Sequence, residues 1–196
     1  MCFEIERRFL VRGNGWRQLA TEHMDIRQAY LTVGNKASVR VRINDNSTAS
    51  LTVKSQPVKL RRLELEYAIP ILEAETLMAL RQGSIIEKRR YQVPCGVDLL
   101  WEVDMFSGEN LGLVIAEIEL RHEHQQVDLP PWIGWEVTGR PPYSNGYLAQ
   151  HPFSSWPRDG AVEQRVHHTE RQYHAHGSLA VEPGNAPQHL GTLAAS

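Results

Sequence analysis

The sequence predicts a mainly β protein (α+β), an eight-stranded antiparallel β-barrel closed on itself with a few flanking helices. Three observations carry this. Short runs in which apolar and polar residues alternate recur along the chain, each bounded by turn residues. Few stretches read as helix. The polar positions of successive runs are charged, and the charges come in same-sign pairs two residues apart. Eight or so strands with so few helices suit a sheet that closes and keeps no free edge.

The first run, 3–11, places Glu4, Glu6 and Arg8 on one face and Phe3, Ile5 and Phe9 on the other, because strand side chains alternate. Gly13-Asn14-Gly15 ends it, and a short helical turn follows around Trp16–Ala20. The run 25–33 carries Tyr30 and stops at Gly34-Asn35. In 37–44, Arg40 and Arg42 share a face opposite Val39, Val41 and Ile43, before the turn Asn44-Asp45-Asn46. In 49–55, Thr52 and Lys54 oppose Leu51 and Val53, and in 61–69 Glu64 and Glu66 oppose Leu63, Leu65 and Tyr67.

A helix is predicted over 72–82, with Leu72, Thr76, Leu77 and Leu80 on one side and Gly83 as its stop. Strand 85–93 aligns Lys88 with Arg90, although Glu87 and Arg89 make it polar on both sides. Strand 99–106 aligns Glu102 with Asp104 and leads into Ser107-Gly108. Strand 113–121 aligns Glu117 with Glu119, backed by Val114, Ala116, Ile118 and Leu120, and 135–138 closes the set. Beyond it, residues 1–157 read as the folded domain and 158–196 as a disordered tail without sustained periodicity. The tail gathers His167, His168, His174 and His176, which reads as chance clustering rather than a metal site.

Composition is that of an ordinary globular chain, 41% hydrophobic and 22% charged over 196 residues. A net charge of −2 gives no pull toward nucleic acid or an anionic membrane. No apolar run reaches the ~18 residues a membrane span needs. The charged N-terminus does not read as a secretory signal, and Cys2 and Cys95 have no CxxC spacing, so a reduced, cytoplasmic protein is expected.

One wet sheet face explains alternation in a single strand. It does not explain same-sign pairs in six of seven such strands, since like charges side by side bring no stability. Eight acids (Glu4, Glu6, Glu64, Glu66, Glu102, Asp104, Glu117, Glu119) and six bases (Arg8, Arg40, Arg42, Lys54, Lys88, Arg90) fall on this face. If the sheet closes around them, the interior must be wet, because an unpaired buried charge costs several kcal/mol. Hard carboxylate oxygens favour Mg²⁺ or Mn²⁺, and clustered Lys and Arg suit a ligand with repeated anionic oxygens, best matched by phosphate. Together they are the equipment of phosphoryl transfer. No Walker A or GxGxxG loop is present, so side chains and metal would grip the phosphates.

These residues resemble the CYTH superfamily, the triphosphate tunnel metalloenzymes, and its small bacterial members in particular. EIERRFLV is similar to the family's ExExK signature, and IRQAYL, VRVRI, LTVK, ELEYAIP, IEKRRY, WEVDMF, AEIEL and WEVTG follow in the family's order from Met1 to about Trp156. The resemblance implies an eight-stranded tunnel that binds and hydrolyses triphosphate compounds with Mg²⁺ or Mn²⁺, most of all inorganic tripolyphosphate. It implies Glu4, Glu6, Glu117 and Glu119 as metal-side carboxylates, with Glu64, Glu66 and Asp104 helping to hold metal and orient water. Arg8, Arg40, Arg42, Lys54, Lys88 and Arg90 would grip phosphate, and Arg8, Lys54, Lys88, Glu64 and Tyr30 are the catalytic candidates. A short helix around Ser144–Leu148, capped by Ser144, would plug or flank one mouth. Two departures stand out: Arg8 replaces the signature's lysine, and Gly139–Asn145 carries no acid after its glycine. The implied partner is a small triphosphate, with neither nucleic acid nor membrane, bound by a monomer or homodimer. Thiamine triphosphatase, nucleoside triphosphatase, adenylate cyclase and a non-catalytic polyphosphate- or nucleotide-binding module stay open as alternatives.

Overall fold

The computed structural model describes residues 3–56, 58, 61–96 and 98–157. The tail expected over 158–196, histidines included, lies outside these described residues. Among the described residues nine strands form: β1 (Phe3–Val11), β2 (Glu22–Val33), β3 (Ala37–Asn44), β4 (Thr48–Ser55), β5 (Arg61–Ala68), β6 (Gln82–Pro94), β7 (Leu100–Phe106), β8 (Val114–Glu119) and β9 (Ile133–Glu136). Eight of them run β5-β4-β3-β2-β6-β7-β8-β1, and β1 returns to β5, so the antiparallel sheet closes into a barrel. The short last strand, expected at 135–138, stands outside that ring. It pairs with the far half of β1, Phe9 opposite Glu136 and Val11 opposite Ile133, where β5 has already left that edge.

Register fixes which side chains share the lumen, since cross-strand partners point to one face. Glu117 lies opposite Arg8, Lys54 opposite Glu64, Arg40 opposite Thr52, Arg90 opposite Asp104 and Glu102 opposite Glu117. The other parity builds the outside. Phe9, Trp16, Trp101, Ile118 and Trp132 pack there over β1, β6, β7 and β8, where the 3₁₀ turn Gly15–Gln18 seats Trp16.

Helix α1 (Ile71–Ala79) covers Ala29, Val41 and Ile43. It is shorter than expected and turned. Leu72 and Leu80 stand in solvent, 81% and 68% exposed, while Ala74 and Met78 face the barrel. Arg27 clamps it from β2 through a 2.9 Å ion pair to Glu75. Gly83, expected to stop the helix, is instead inside β6 with φ +74°. A Cβ there would sit 2.2 Å from the carbonyl oxygen of Ala149, so glycine is required by a close backbone approach.

That approach belongs to α2 (Asn145–Gln150), whose Tyr147 amide donates to the Ser144 hydroxyl at 3.2 Å. Leu148 and Ala149 press onto Ile86, Phe106 and Ile115, which continue the lumen-facing parity of Lys88, Asp104 and Glu117. The inner face is thus apolar under α2 and ionic beyond it. No helix of the described residues is long and apolar enough to cross a membrane.

Candidate functional site

The ionic part of the lumen is a cavity of about 210 Å³. Its walls hold Glu4, Glu6, Glu64, Glu66, Glu102, Glu117 and Glu119 against Arg8, Arg40, Arg42, Lys54, Arg62 and Arg90. Of the expected residues, two are set back: Lys88 and Asp104 pair with each other behind the wall, 3% and 1% exposed. Tyr30 is buried against the apolar cluster under α2 and lines a neighbouring cavity instead. Arg62 is the base that sequence reading passed over, although it shares the parity of Glu64 and Glu66. Asn145, at the start of α2, also reaches the cavity.

Most of these charges are neutralised in chains. Arg8 donates through Nε to Glu117 at 2.6 Å and through Nη2 to Glu6 at 2.8 Å. Arg90 holds Asp104 through Nε at 2.7 Å and Glu117 through Nη2 at 2.9 Å, and also pairs with Glu102. Glu4 accepts from Lys54 at 2.9 Å and from Arg62 at 2.7 Å, and Arg62 also reaches Glu6 at 2.7 Å. Lys54 extends to Glu64 at 2.9 Å, and Thr52 links Arg40 to Glu66. This pairing is what permits so many ionised groups in one enclosed space.

The acidities follow. Burial would raise the Glu4 carboxyl, but Lys54 and Arg62 outweigh it and bring it to about 2. Glu117 is likewise held well below the usual carboxylate range, by Arg8 and Arg90 against burial. Burial draws the Lys88 ammonium down to about 8 against the pull of Asp104. Asp104 nevertheless stays low, because it is held by Arg90 as well as Lys88, whereas Lys88, although drawn up by Asp104 and Glu117, also stands near Arg90 and Arg42.

Two groups are left over. Arg42 makes no ion pair among the described residues, its Nε is buried without a partner, and burial with the nearby Arg40 and Arg90 lowers it to about 10. Glu119 likewise makes no ion pair among the described residues, although Lys54 pulls against its shift. Burial and then Glu4, Glu102 and Glu64 push its carboxyl up. One cavity therefore offers one cation, Arg42, and one acid, Glu119, that make no ion pair among the described residues. Glu119, Glu4, Glu64 and Glu102 supply the hard oxygens that Mg²⁺ or Mn²⁺ prefers. No three acidic, imidazole or thiol groups converge on one point among the described residues. A metal held by one or two carboxylates and completed by ligand oxygens is the arrangement that fits, and Mg²⁺ commonly binds that way.

A closed antiparallel barrel whose enclosed lumen is walled by facing acids and bases defines a class of ionic tunnel barrels. The chain belongs to the CYTH domain family, whose pattern it matches over residues 3–140. It is 45% identical over 154 residues to the inorganic triphosphatase of Acetivibrio thermocellus, a match covering 78% of this chain and 97% of that one. It is 35% identical over 149 residues to the inorganic triphosphatase of Nitrosomonas europaea, covering 74% and 96%. The crystal structure of the inorganic triphosphatase NE1496 superposes with a TM-score of 0.56 at 32% identity, covering 76% of this chain and 96% of that chain.

Proposed function

We propose that this chain is a metal-dependent hydrolase of triphosphate compounds that converts inorganic tripolyphosphate to diphosphate and phosphate. The observation that carries the reading is the presence of a guanidinium, Arg42, and a carboxyl, Glu119, both without an ion pair among the described residues, inside one ionic cavity. A polyanion with bound divalent metal neutralises both at once. The names of the relatives of Acetivibrio thermocellus and Nitrosomonas europaea support the same reading.

In this reading Arg42, Arg40, Arg8, Lys54, Arg62 and Arg90 hold the phosphoryl oxygens, exchanging part of their internal pairing for the ligand. Glu119, with one of its neighbours Glu4, Glu64 or Glu102, would hold Mg²⁺ or Mn²⁺, and Glu6, Glu66 and Glu117 keep the surrounding bases in place. When bound, the metal supplies Lewis-acid polarisation of the phosphoryl group and charge neutralisation. Glu64 or Glu66 accepts a hydrogen bond from the attacking water and orients it. Lys54 Nζ lines the cavity and can give a proton to the leaving diphosphate, which Arg8, fixed as a guanidinium, cannot readily do. Lys88 and Asp104, sealed behind the wall, position Arg90 rather than touch substrate. We place the protein in the cytoplasm as a monomer or homodimer.

Phosphate release from tripolyphosphate, ATP and thiamine triphosphate, each with Mg²⁺, Mn²⁺ or EDTA, tests the reading. Tripolyphosphate should be turned over fastest, and only with metal. Equal turnover in EDTA would refute the metal requirement, and a strong preference for ATP would make this a nucleotide enzyme. The second reading, a binding module, is favoured by Arg8 in the place of the signature lysine. It predicts tight tripolyphosphate binding without release of phosphate.

A further inference from the structure

The lumen opens into two further cavities, and they differ in charge. One lies among β2, β6 and β7, and shares Arg42, Arg90 and Glu102 with the lumen. The charged group it adds is Glu22, beside His23. The other, of about 280 Å³, lies between the ends of β2 and β4 and the segment from Thr138 to Gly146. It shares Glu6, Arg8, Arg40, Lys54, Arg62 and Asn145 with the lumen. The charged group it adds is Arg140. Its walls therefore carry five bases against one acid, where the first cavity balances two of each.

Arg140 is built to stay at that position. Gly139, at φ +69°, makes the turn that presents it, and its amide donates to the Val137 carbonyl at 3.1 Å. Its carbonyl then accepts from the Tyr143 amide at 3.2 Å across the 3₁₀ turn Pro141–Tyr143, whose two prolines restrict the backbone. Its guanidinium has no acidic partner among the described residues, unlike most of the arginines deeper in. The amide oxygen of Asn145, at the junction of this mouth with the lumen, is also buried without a partner.

We propose that the tunnel is loaded from one end. A polyanionic substrate enters by the Arg140 mouth, and Arg140 is a steering residue for it, while the Glu22 mouth, its charges balanced, does not draw it in. This rests on the triphosphatase reading for the identity of the ligand. The physical basis is that a cleft lined by one sign of charge concentrates the opposite ion and speeds association by ~10–10³-fold, an effect that salt screens over a Debye length of ~10 Å at 0.1 M.

The test compares wild type with Arg140→Glu and Glu22→Lys, using inorganic tripolyphosphate at low (~20 mM) and high (~300 mM) salt, concentrations that bracket the onset of strong screening. Two quantities are read, the affinity by isothermal titration and kcat/KM with metal. At low salt Arg140→Glu should lose about three- to tenfold in kcat/KM, carried by KM, and the deficit should shrink below about twofold at high salt. Glu22→Lys should differ from wild type by less than about twofold at both. A fall for Arg140→Glu that ignores salt would assign it a contact or folding role and overturn steering. Equal and opposite responses of the two variants would overturn one-ended loading. Wild type that binds tripolyphosphate without turnover would sink the hydrolase reading, yet the affinities would still decide between the mouths.

Discussion

Glu117 and Glu119 are two residues apart on β8 and share a face, yet the structure gives them different partners. Glu117 neutralises Arg8 at 2.6 Å and Arg90 at 2.9 Å, and its side chain is 11% exposed. Glu117→Gln keeps the shape and removes the charge, which leaves two buried guanidinium groups short of an acid. Removing one partner of a buried pair typically costs about 3–5 kcal/mol. At about 2–4 °C per kcal/mol for a chain of this size, the melting temperature should fall by roughly 6–20 °C. Glu119 has no such partner, so Glu119→Gln should change stability by no more than about 0.5 kcal/mol in either direction. Its effect should appear in function instead, because the acidic corner loses the one carboxylate that is not already spoken for. Loss of a charge-assisted contact is worth about 1.5–3 kcal/mol, so the Mg²⁺ concentration for half-maximal tripolyphosphate hydrolysis should rise about ten- to hundredfold. Differential scanning fluorimetry and metal titrations of phosphate release measure the two effects separately. A Glu117→Gln protein that melts like wild type, or a Glu119→Gln protein that melts far lower, would refute the pairing scheme. Unchanged metal activation in Glu119→Gln would remove the acidic corner from the site.

The other predictions follow from the same arrangement. Arg42→Ala should raise KM for tripolyphosphate about ten- to hundredfold without lowering the melting temperature, since Arg42 has no internal partner to abandon; a clear loss of stability would contradict that. Gly83→Ala should destabilise the fold and loosen α2 from Ile86 and Phe106, seen as faster amide exchange over 145–150, because its Cβ would collide with the Ala149 carbonyl. The Glu4 carboxyl, ordinarily near 4.5 and here about 2, contributes stability that is complete above the ordinary value and lost as pH falls through the folded one. At about 1.36 kcal/mol per tenfold this is about 3 kcal/mol. Unfolding free energy should therefore drop less between pH 5 and pH 3 in Glu4→Gln than in wild type, and equal slopes would count against the Lys54–Glu4–Arg62 chain.

The strands and their charged face were legible because alternation is a local property. Each run needs only its own residues to say which side Arg40 or Glu117 takes, and the lumen collects the faces so read. Arg62 carried the same signal and was passed over at the start of its strand. What local patterns could not supply was the partner across the barrel. Glu117 and Glu119 look alike in sequence, and only the register against Arg8 and Arg90 separates them. The α1 face was misjudged because Ile71, Ala74 and Met78 fit a helical stripe as well as the leucines do, and the barrel decides which stripe is covered. Gly83 read as a stop because glycine after a helical run usually is one. Its actual reason, the Ala149 carbonyl, lies far away in the chain.

The seam along β1 bears on how the chain is made. The strands from β2 to β5, and from β6 to β8, pair with neighbours in sequence, whereas β1 finds its partners at residues 61–63, 115–119 and 133–136. β1 therefore leaves the ribosome well before its partners and can be seated only late. At ~5–20 residues per second, the synthesis of residues 12 to 136 keeps it waiting for about 6–25 s with Ile5 and Phe9 uncovered. In that interval its unpaired edge is the part of the nascent chain most open to a chaperone, or to the waiting barrel of a second copy, and an amino-terminal fusion that slows its docking should lower the yield of folded protein more than a carboxy-terminal one.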